Sequence, residues 1–401
     1  MSIQNRINAY LGASVHIFAI IFLARLIRDT GARMMYPFIP QLSEGLGLTV
    51  VAFSWLIFIY ALGGLAGPIF GVLTDRYGRR KIMVIALLCQ GTGALWLAFS
   101  QHWVAALPMF VMGLGVAIFI PAQQAYISDQ TSYKKRGRAL GTIEYSWALT
   151  AILVLPVAGW LIENYSWRAP FLFMAPLAFL GAAMVWFGLP RTERHTPTEF
   201  SWSAVRSLIL RSNVIGAVMA ALFIYIALGS FLSLLSIWLT DDFGLGATQL
   251  GLVAMIIGVT ELGGSVSSSL FIDRIGKKRG GGLGLLLGAL IFLLLPFMRG
   301  QLFLAIAGLV LLGLLLEFTI VSLIPIYSEQ VPEARGTVLS LTGLGATVGI
   351  AVGPPLTANL WQISGLWAIC AVAAVCLLVA AGIISKLLHE NQSVNLSRSD
   401  S

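Results

Sequence analysis

Long apolar stretches alternate with short polar turns along almost the whole chain. Twelve such stretches occur, near residues 13–40, 49–72, 82–100, 104–127, 141–163, 168–189, 213–239, 247–272, 281–298, 301–327, 337–361 and 364–387. A helix of about 20 apolar residues is long enough to cross the hydrocarbon core of a bilayer. The stretches are continuously apolar and lack the period-two alternation of barrel strands. The pattern therefore predicts an all-α polytopic membrane protein with twelve transmembrane helices, here numbered spans 1 to 12.

The composition agrees with this prediction and excludes several functions. The 401 residues are 58% hydrophobic and only 10% charged, and the mean hydropathy is +0.88. A soluble domain carries about 25% charged residues. Cys89, Cys370 and Cys376 all fall within predicted spans, so we expect neither a disulfide framework nor a metal site. The sequence has no nucleotide-binding loop and no nucleophile elbow, so we expect no enzyme activity, no cofactor and no ATP-driven pump.

The basic residues indicate how the chain is oriented. Most of the 25 Lys and Arg residues lie in the termini or in the even-numbered turns between spans. Cytoplasmic loops carry such an excess of positive charge, so we expect both termini in the cytoplasm and the protein in the inner membrane of a bacterium. The net charge of +8 is dispersed among these turns. The bilayer is therefore the expected partner, and nucleic acid is not.

A cationic turn occurs twice, 198 residues apart. The first copy reads Gly71-Val72-Leu73-Thr74-Asp75-Arg76-Tyr77-Gly78-Arg79-Arg80-Lys81, and the second reads Ser269-Leu270-Phe271-Ile272-Asp273-Arg274-Ile275-Gly276-Lys277-Lys278-Arg279. A second pair of turns, Ser128-Asp129-Gln130 and Ser328-Glu329-Gln330, repeats with nearly the same offset. The repeat predicts two six-helix halves, 1–190 and 213–388, joined by a cytoplasmic linker 191–212 and followed by a tail 389–401. Such halves are typically related by a pseudo-twofold axis along the membrane normal.

The first cationic turn carries a family resemblance. Gly71-x-Leu73-x-Asp75-Arg76-x-Gly78-Arg79-Arg80-Lys81 resembles the motif that major facilitator superfamily transporters have between their second and third helices. The stretches Arg136-Gly137-Arg138-Ala139-Leu140-Gly141 and Trp167-Arg168-Ala169-Pro170-Phe171 are also similar to the family at the starts of spans 5 and 6. The resemblance covers the whole chain. It implies the twelve-helix superfamily fold and a small-molecule substrate. Two six-helix halves suffice for a transporter, so we expect a monomer.

The resemblance also implies a role for the two cationic turns. In the family the motif is similar to a gate latch that stabilises the outward-facing state. That role would fall to Gly71, Asp75, Arg76, Gly78, Arg79 and Arg80, and in the second copy to Asp273, Arg274 and Gly276. The second copy has Ser269 in place of the first glycine. The alternative from the residues alone is that these cations only determine topology.

Three features bear on the comparison with proton-coupled drug exporters. Many of these exporters carry an arginine in span 4 where this chain has Met109, and the antiporter element of span 5 lacks its leading glycine before Pro156. Gly345, Gly349 and Gly353 recur every four residues in span 11. Small residues at that spacing predict close helix packing, and they say nothing about the direction of transport.

Four acidic residues lie within the predicted spans: Asp29, Glu144, Glu261 and Glu317. A charged carboxylate at the bilayer centre costs about 2.5–3.5 kcal/mol on insertion scales. Such groups are retained in a lumen, in an ion pair or in the protonated form. A carboxyl group that alternates between these conditions could bind and release a proton.

Local sequence context distinguishes the four acids. Asp29 has Arg25 one turn before it and Arg33 one turn after it, so we expect these three on one helix face and Arg28 on another. The pair Asp29–Arg33 is then either a cavity pair that a proton or an anionic substrate breaks, or a permanent structural salt bridge. Glu261 and Glu317 have no cation nearby in sequence and are candidates for proton or substrate handling, with hydrogen-bonded packing as the alternative. Glu144 lies nearer the cytoplasmic end of span 5, where its side chain can snorkel towards water, and it is a further candidate for proton or substrate handling.

The leading functional hypothesis is a secondary transporter that works by alternating access and uses the proton gradient as its energy source. By resemblance to drug exporters, it exports small amphipathic or drug-like compounds by antiport. Proton symport or facilitated uptake of a small solute, and lipid or lysolipid transport, are the alternatives. A transport-inactive membrane sensor is the remaining, more remote hypothesis.

Overall fold

The structure, a computed structural model, describes residues 14–66, 77–131, 133–191, 208 and 210–390, without the side chains of 66, 133, 134, 136–138 and 273. Most of these residues lie in helices, and none of them lies in a β-strand. The helices are numbered so that each label matches its span: α1 Val15–Arg33, α2 Val50–Leu62, α3 Arg79–Ala98, α4 Ala106–Gln130, α5 Tyr133–Leu153, α6 Ala169–Gly188, α7 Ser212–Phe243, α8 Ala247–Ile275, α9 Lys277–Leu294, α10 Leu302–Glu329 and α11 Arg335–Leu387.

The helix lengths agree with the twelve predicted spans. Within the described residues, nine helices are long and apolar enough to cross a membrane, and a shorter apolar helix covers Val50–Leu65. Helix α11 is 53 residues long and is interrupted at Gly365, where φ is 67° and ψ is −157°. It therefore contains both span 11 and span 12. Together with α1, these helices account for an all-α membrane protein, as predicted.

Local sequence explains two departures from regular helix. Span 5 breaks at Val154 and continues as the helix Leu155–Asn164. Pro156 follows the break at once, and its missing amide hydrogen cannot continue the helical hydrogen-bond ladder. Gly78 and Gly276 precede α3 and α9 with φ of 92° and 89°, a conformation that glycine adopts readily. The two copies of the cationic turn thus share the same backbone conformation at the same position.

The chain divides into two compact units. Unit 1 comprises Met1–Phe200, Leu232–Val259 and Pro354–Asn359. In it, α3 packs closely on α4. An added Cβ atom at Gly93 would lie only 2.8 Å from the Met112 nitrogen. Buried apolar side chains from α1, α3, α4 and α6 form its core, among them Met83, Leu87 and Phe119. Unit 1 includes parts of α7, α8 and α11, so it extends beyond the first predicted half.

Unit 2 comprises Ser201–Phe231, Thr260–Gly353 and Leu360–Ser401. The glycine ladder of α11 packs here against α7. A Cβ at Gly353 would lie 2.6 Å from the Gly229 carbonyl carbon, and a Cβ at Gly345 would lie 2.5 Å from the Val218 oxygen. The close helix packing predicted from the glycine spacing is therefore confirmed.

Candidate functional site

Asp29 is the centre of a buried polar network in unit 1. Its side chain is fully buried and accepts hydrogen bonds from Arg25 Nε at 2.9 and 3.0 Å and from Arg28 Nη1 at 2.7 Å. The Ser146 hydroxyl donates a further hydrogen bond to Asp29 at 2.5 Å. A buried carboxylate loses its hydration, and this loss is offset only when charged and hydrogen-bonding partners replace the water. Two guanidinium groups and a hydroxyl do so here.

The position of Arg28 differs from the prediction. Arg28 was expected to point away from Asp29, and that expectation was wrong. Its Nε donates to the Val116 carbonyl oxygen of α4 at 2.9 Å, which turns Nη1 towards Asp29. Helical spacing describes the direction of the Cβ atom, whereas the three methylene groups of arginine let its head reach a neighbour along the helix surface.

Arg25 links this buried carboxylate to a second, more accessible one. Its Nη2 lies 3.0 Å from Glu144 Oε2, and its Nη1 lies 3.4 Å from Glu144 Oε1. The Glu144 side chain is 52% exposed, whereas that of Asp29 is 0% exposed. One guanidinium group therefore connects a half-exposed carboxylate with a fully buried one.

Gln123 of α4 completes the network. Its Oε1 accepts a hydrogen bond from Arg25 Nη1 at 2.8 Å. Because a guanidinium group only donates, this contact determines the orientation of the amide. The amide nitrogen Nε2 is buried, and among the described residues it has no hydrogen-bond acceptor. A buried N–H donor normally has a hydrogen-bond acceptor, so this one favours binding of an oxygen atom that does not belong to the described residues.

Arg33 lies one turn from Asp29 and contacts span 5. Its Nη1 donates to the Trp147 carbonyl oxygen at 3.1 Å, and its Cζ lies 4.5 Å above the centre of the Trp147 ring. A guanidinium group over an indole face gains a cation–π attraction. The predicted pairing of Asp29 with Arg33 stays a prediction, while the structure pairs Asp29 with Arg25 and Arg28.

The other two intramembrane acids lie in unit 2. Glu261 in α8 is 5% exposed, and Glu317 in α10 is partly buried. A Cβ at Gly264 would lie 3.3 Å from Glu317 Cβ and 2.6 Å from the Leu314 oxygen. Helices α8 and α10 therefore approach closely beside both acids, which lie on neighbouring helices.

The first cationic turn is only partly described, since Gly71, Asp75 and Arg76 lie outside the described residues. Arg79 donates to the Ala125 carbonyl oxygen and forms an ion pair with Asp129 at the end of α4. Arg80 donates to the Leu189 oxygen at 2.8 Å, and its Cζ lies 4.8 Å from the centre of the Trp186 ring. The turn thus binds the ends of spans 4 and 6.

The second cationic turn makes equivalent contacts within unit 2. Lys277 Nζ lies 3.1 Å from Glu329 Oε1 at the end of α10. Lys278 Nζ donates to the Ser385 and Leu388 oxygens at 2.9 and 2.8 Å. Arg274 is exposed and Gly276 begins the turn, while the side chain of Asp273 is not described. Each copy therefore holds an acid at the end of one helix and carbonyl groups at the end of another.

Several of these contacts were not predicted from the sequence. Gln123 and Ser146 are neutral polar residues in apolar spans, and an intramembrane amide such as Gln123 is the signal that could have identified the site. Among the described residues, no group of three His, Cys, Asp or Glu side chains could hold a metal ion.

Comparison with known proteins decides the family. The sequence model of the Major Facilitator Superfamily matches residues 21–354 and 217–399. The chain belongs to this superfamily. It is therefore an integral membrane transporter for small molecules, and it is not an enzyme.

Relatives within the superfamily have different described roles. Multidrug resistance protein 2 of Bacillus subtilis (strain 168) is 24% identical over 364 residues, covering 87% of this chain and 89% of the relative. The putative niacin/nicotinamide transporter NiaP of the same organism is 26% identical over 326 residues, covering 77% and 78%. The crystal structure of a D-xylose-proton symporter superposes with a TM-score of 0.73 at 16% identity, covering 94% and 98%. The last likeness concerns the fold alone.

Proposed function

We propose that this superfamily transporter exports small amphipathic compounds in exchange for protons, by alternating access. The observation that carries the proposal is the bridge from half-exposed Glu144 through Arg25 to buried Asp29. Its similarity to Multidrug resistance protein 2 supports export. Two complete halves suffice for transport, so we expect a monomer, located in the cytoplasmic membrane with both termini inside as the charge pattern predicts.

Proton coupling would act through the ion pairs of Arg25. Protonation of Glu144 removes one of the two carboxylates that Arg25 contacts. Breaking a fully buried ion pair typically costs about 3–5 kcal/mol, and we expect less here because Glu144 is half exposed. Arg25 belongs to α1 and Glu144 to α5, so protonation changes how these two helices hold together. That change gives the proton an effect on conformation.

Exchange follows if substrate and proton compete for one group. Deprotonated Glu144 attracts the positive end of an amphipathic cation, and protonated Glu144 does not. The two ligands then exclude each other, as antiport requires. Asp29 holds Arg25 and Arg28 in place during this competition. Glu261 and Glu317 are further candidates for the proton in unit 2.

A second candidate function is symport of an organic anion with a proton. Gln123 binds Arg25 through Oε1, and its donor Nε2 has no acceptor among the described residues. Arg33 adds a positive charge one turn away from Asp29. If a proton neutralises Glu144, the outer edge of the Arg25 guanidinium group is open to a substrate carboxylate. Proton and anion would then bind together rather than exclude each other.

Proton flux in proteoliposomes tests the two candidates. Purified protein is reconstituted with a pH-sensitive dye inside the vesicles, and either tetraphenylphosphonium or an amphipathic carboxylate is placed in the lumen at the start. Export by antiport predicts proton entry as the cation leaves, lost in Glu144→Gln and kept in Glu44→Gln, which alters an exposed acid far from the network. Proton movement together with the carboxylate supports symport, and no proton movement with either compound contradicts both.

A further inference from the structure

Glu163 joins the predicted outer end of span 5 to the start of α8. Its Oε2 accepts a hydrogen bond from the Thr248 backbone nitrogen at 2.7 Å, and the Thr248 side chain hydrogen-bonds to the same carboxylate. Thr248 is the second residue of α8, which begins at Ala247. The first backbone N–H groups of a helix have no partner within the helix and carry partial positive charge. The carboxylate of Glu163 supplies both the acceptor and the negative charge.

The surrounding turn is shaped for this carboxylate. The Gly246 nitrogen donates to Gln249 Oε1 at 3.0 Å. The start of α8 is therefore capped by two side chains, Gln249 from α8 itself and Glu163 from span 5. A Cβ atom at Gly246 would lie 3.2 Å from each Glu163 oxygen. That distance is tighter than ordinary van der Waals contact. Glycine at this position therefore leaves room for Glu163 to reach the helix end.

Below the cap, span 5 and α8 are in backbone contact. A Cβ at Gly251 would lie 2.6 Å from the Leu155 oxygen, and a Cβ at Gly258 would lie 2.5 Å from the Ala151 side chain. These contacts lie within unit 1. They extend over several helical turns. Glu163 lies at the predicted outer end of this line of close contacts between span 5 and α8, here called the seam.

Few charged residues occur in the two segments that meet at Glu163. It is the only charged residue in Leu155–Asn164, and residues 247–260 contain none. The neighbouring charged groups have other contacts: Arg168 donates to the Ala98 oxygen at 2.9 Å, and Asp242 accepts from Trp238 Nε1 at 2.9 Å. Asp241 precedes Asp242 at the end of α7. Among the described residues Glu163 has no ion-pair partner, so its electrostatic partner is the N-terminus of α8.

We propose that Glu163 is an outer latch that holds span 5 and α8 together and must release for the transporter to open outward. The inference rests on the alternating access of the proposed function. Neutralising the carboxyl group releases the latch, because a neutral group loses its attraction to the helix N-terminus.

Distance measurements by EPR spectroscopy test the latch directly. Nitroxide labels are placed at Tyr165 and Leu252, two exposed positions on either side of the seam. The background replaces the three native cysteines by alanine and is first checked for transport. Distances are measured in nanodiscs at pH 7.5, without substrate or gradient, in the background, in Glu163→Gln and in Glu44→Gln. Glu44 is an exposed acid on the helix Ile39–Gly45 and serves as the matched control.

We expect at least a twofold increase in the long-distance population in Glu163→Gln at pH 7.5, relative to the background and to Glu44→Gln. A Gly246→Ala variant, which crowds the carboxylate, should lengthen the distances at pH 7.5. Distances in Glu163→Gln that match those in the background overturn the latch. Because no proton flux is measured, failed proton coupling in proteoliposomes would leave a positive EPR result standing.

Discussion

Lys277 Nζ lies 3.1 Å from Glu329 Oε1, 198 residues after Arg79 forms the equivalent ion pair with Asp129. The same correspondence holds for the next cation of each turn. Arg80 donates to the Leu189 oxygen and Lys278 to the Leu388 oxygen. The internal repeat therefore preserves a set of contacts as well as a string of residues. Each cationic turn ties the ends of two other helices to the start of the helix that follows it.

A charge reversal at the second turn tests that correspondence. We expect Lys277→Glu and Glu329→Lys each to lower stability, and the double variant to recover most of the loss. The two side chains are 28% and 25% exposed, so the pair should contribute about 0.2–1 kcal/mol. Thermal unfolding of the detergent-solubilised protein measures the effect. Equal losses that simply add in the double variant would show that the two residues act independently.

Removal of Asp29 should destabilise the protein more than removal of Glu144. Asp29→Ala leaves Arg25 and Arg28 buried without their shared carboxylate, and loss of one partner of a buried ion pair costs about 3–5 kcal/mol. Glu144→Ala removes a half-exposed partner of Arg25 only. Chemical or thermal unfolding in detergent compares the two variants under the same conditions. A smaller loss for Asp29→Ala than for Glu144→Ala would contradict the central position of Asp29.

Neutralising the buried acids should abolish proton coupling. In Asp29→Asn and Glu317→Gln we expect substrate movement that no longer responds to an imposed pH gradient, because Asp29→Asn removes the charge that holds Arg25 opposite Glu144 and Glu317→Gln removes a candidate proton carrier in unit 2. Transport in proteoliposomes at a series of external pH values provides the measurement. Full transport with an unchanged pH dependence in both variants would rule out a coupling role for these two acids.

Gly353 should not tolerate a methyl group. A Cβ at this position would lie 2.6 Å from the Gly229 carbonyl carbon of α7, so α7 and α11 must move apart to accept alanine. Overpacking of this kind typically costs about 1–3 kcal/mol. Gly382→Ala is the matched control, since no heavy atom lies within 4 Å of a Cβ built there. We expect a lower melting temperature for Gly353→Ala alone, and equal melting temperatures would contradict the close approach of the two helices.

The sequence by itself determined the class, the helices and the family of this protein. Apolar length relative to bilayer thickness is a local property, so the spans could be located without knowledge of tertiary contacts. The repeated cationic turn and the glycine ladder of α11 are also local, and the structure gives both a matching packing role. The acidic residues of the membrane interior stand out for a similar reason, because their burial is costly wherever they point.

Only the tertiary structure decided which side chains meet. Ser146 and Asp29 are 117 residues apart, and Gln123 and Arg25 are 98 apart. Such contacts depend on the rotation of each helix about its axis and on the path of long flexible side chains, and helical spacing reports neither. Arg28 illustrates the point. Its hydrogen bond to the Val116 oxygen on α4 directs Nη1 to Asp29, a contact that the sequence of α1 alone did not predict. Glu163 likewise acquires its partner only because Thr248, at the start of a distant helix, is folded against it.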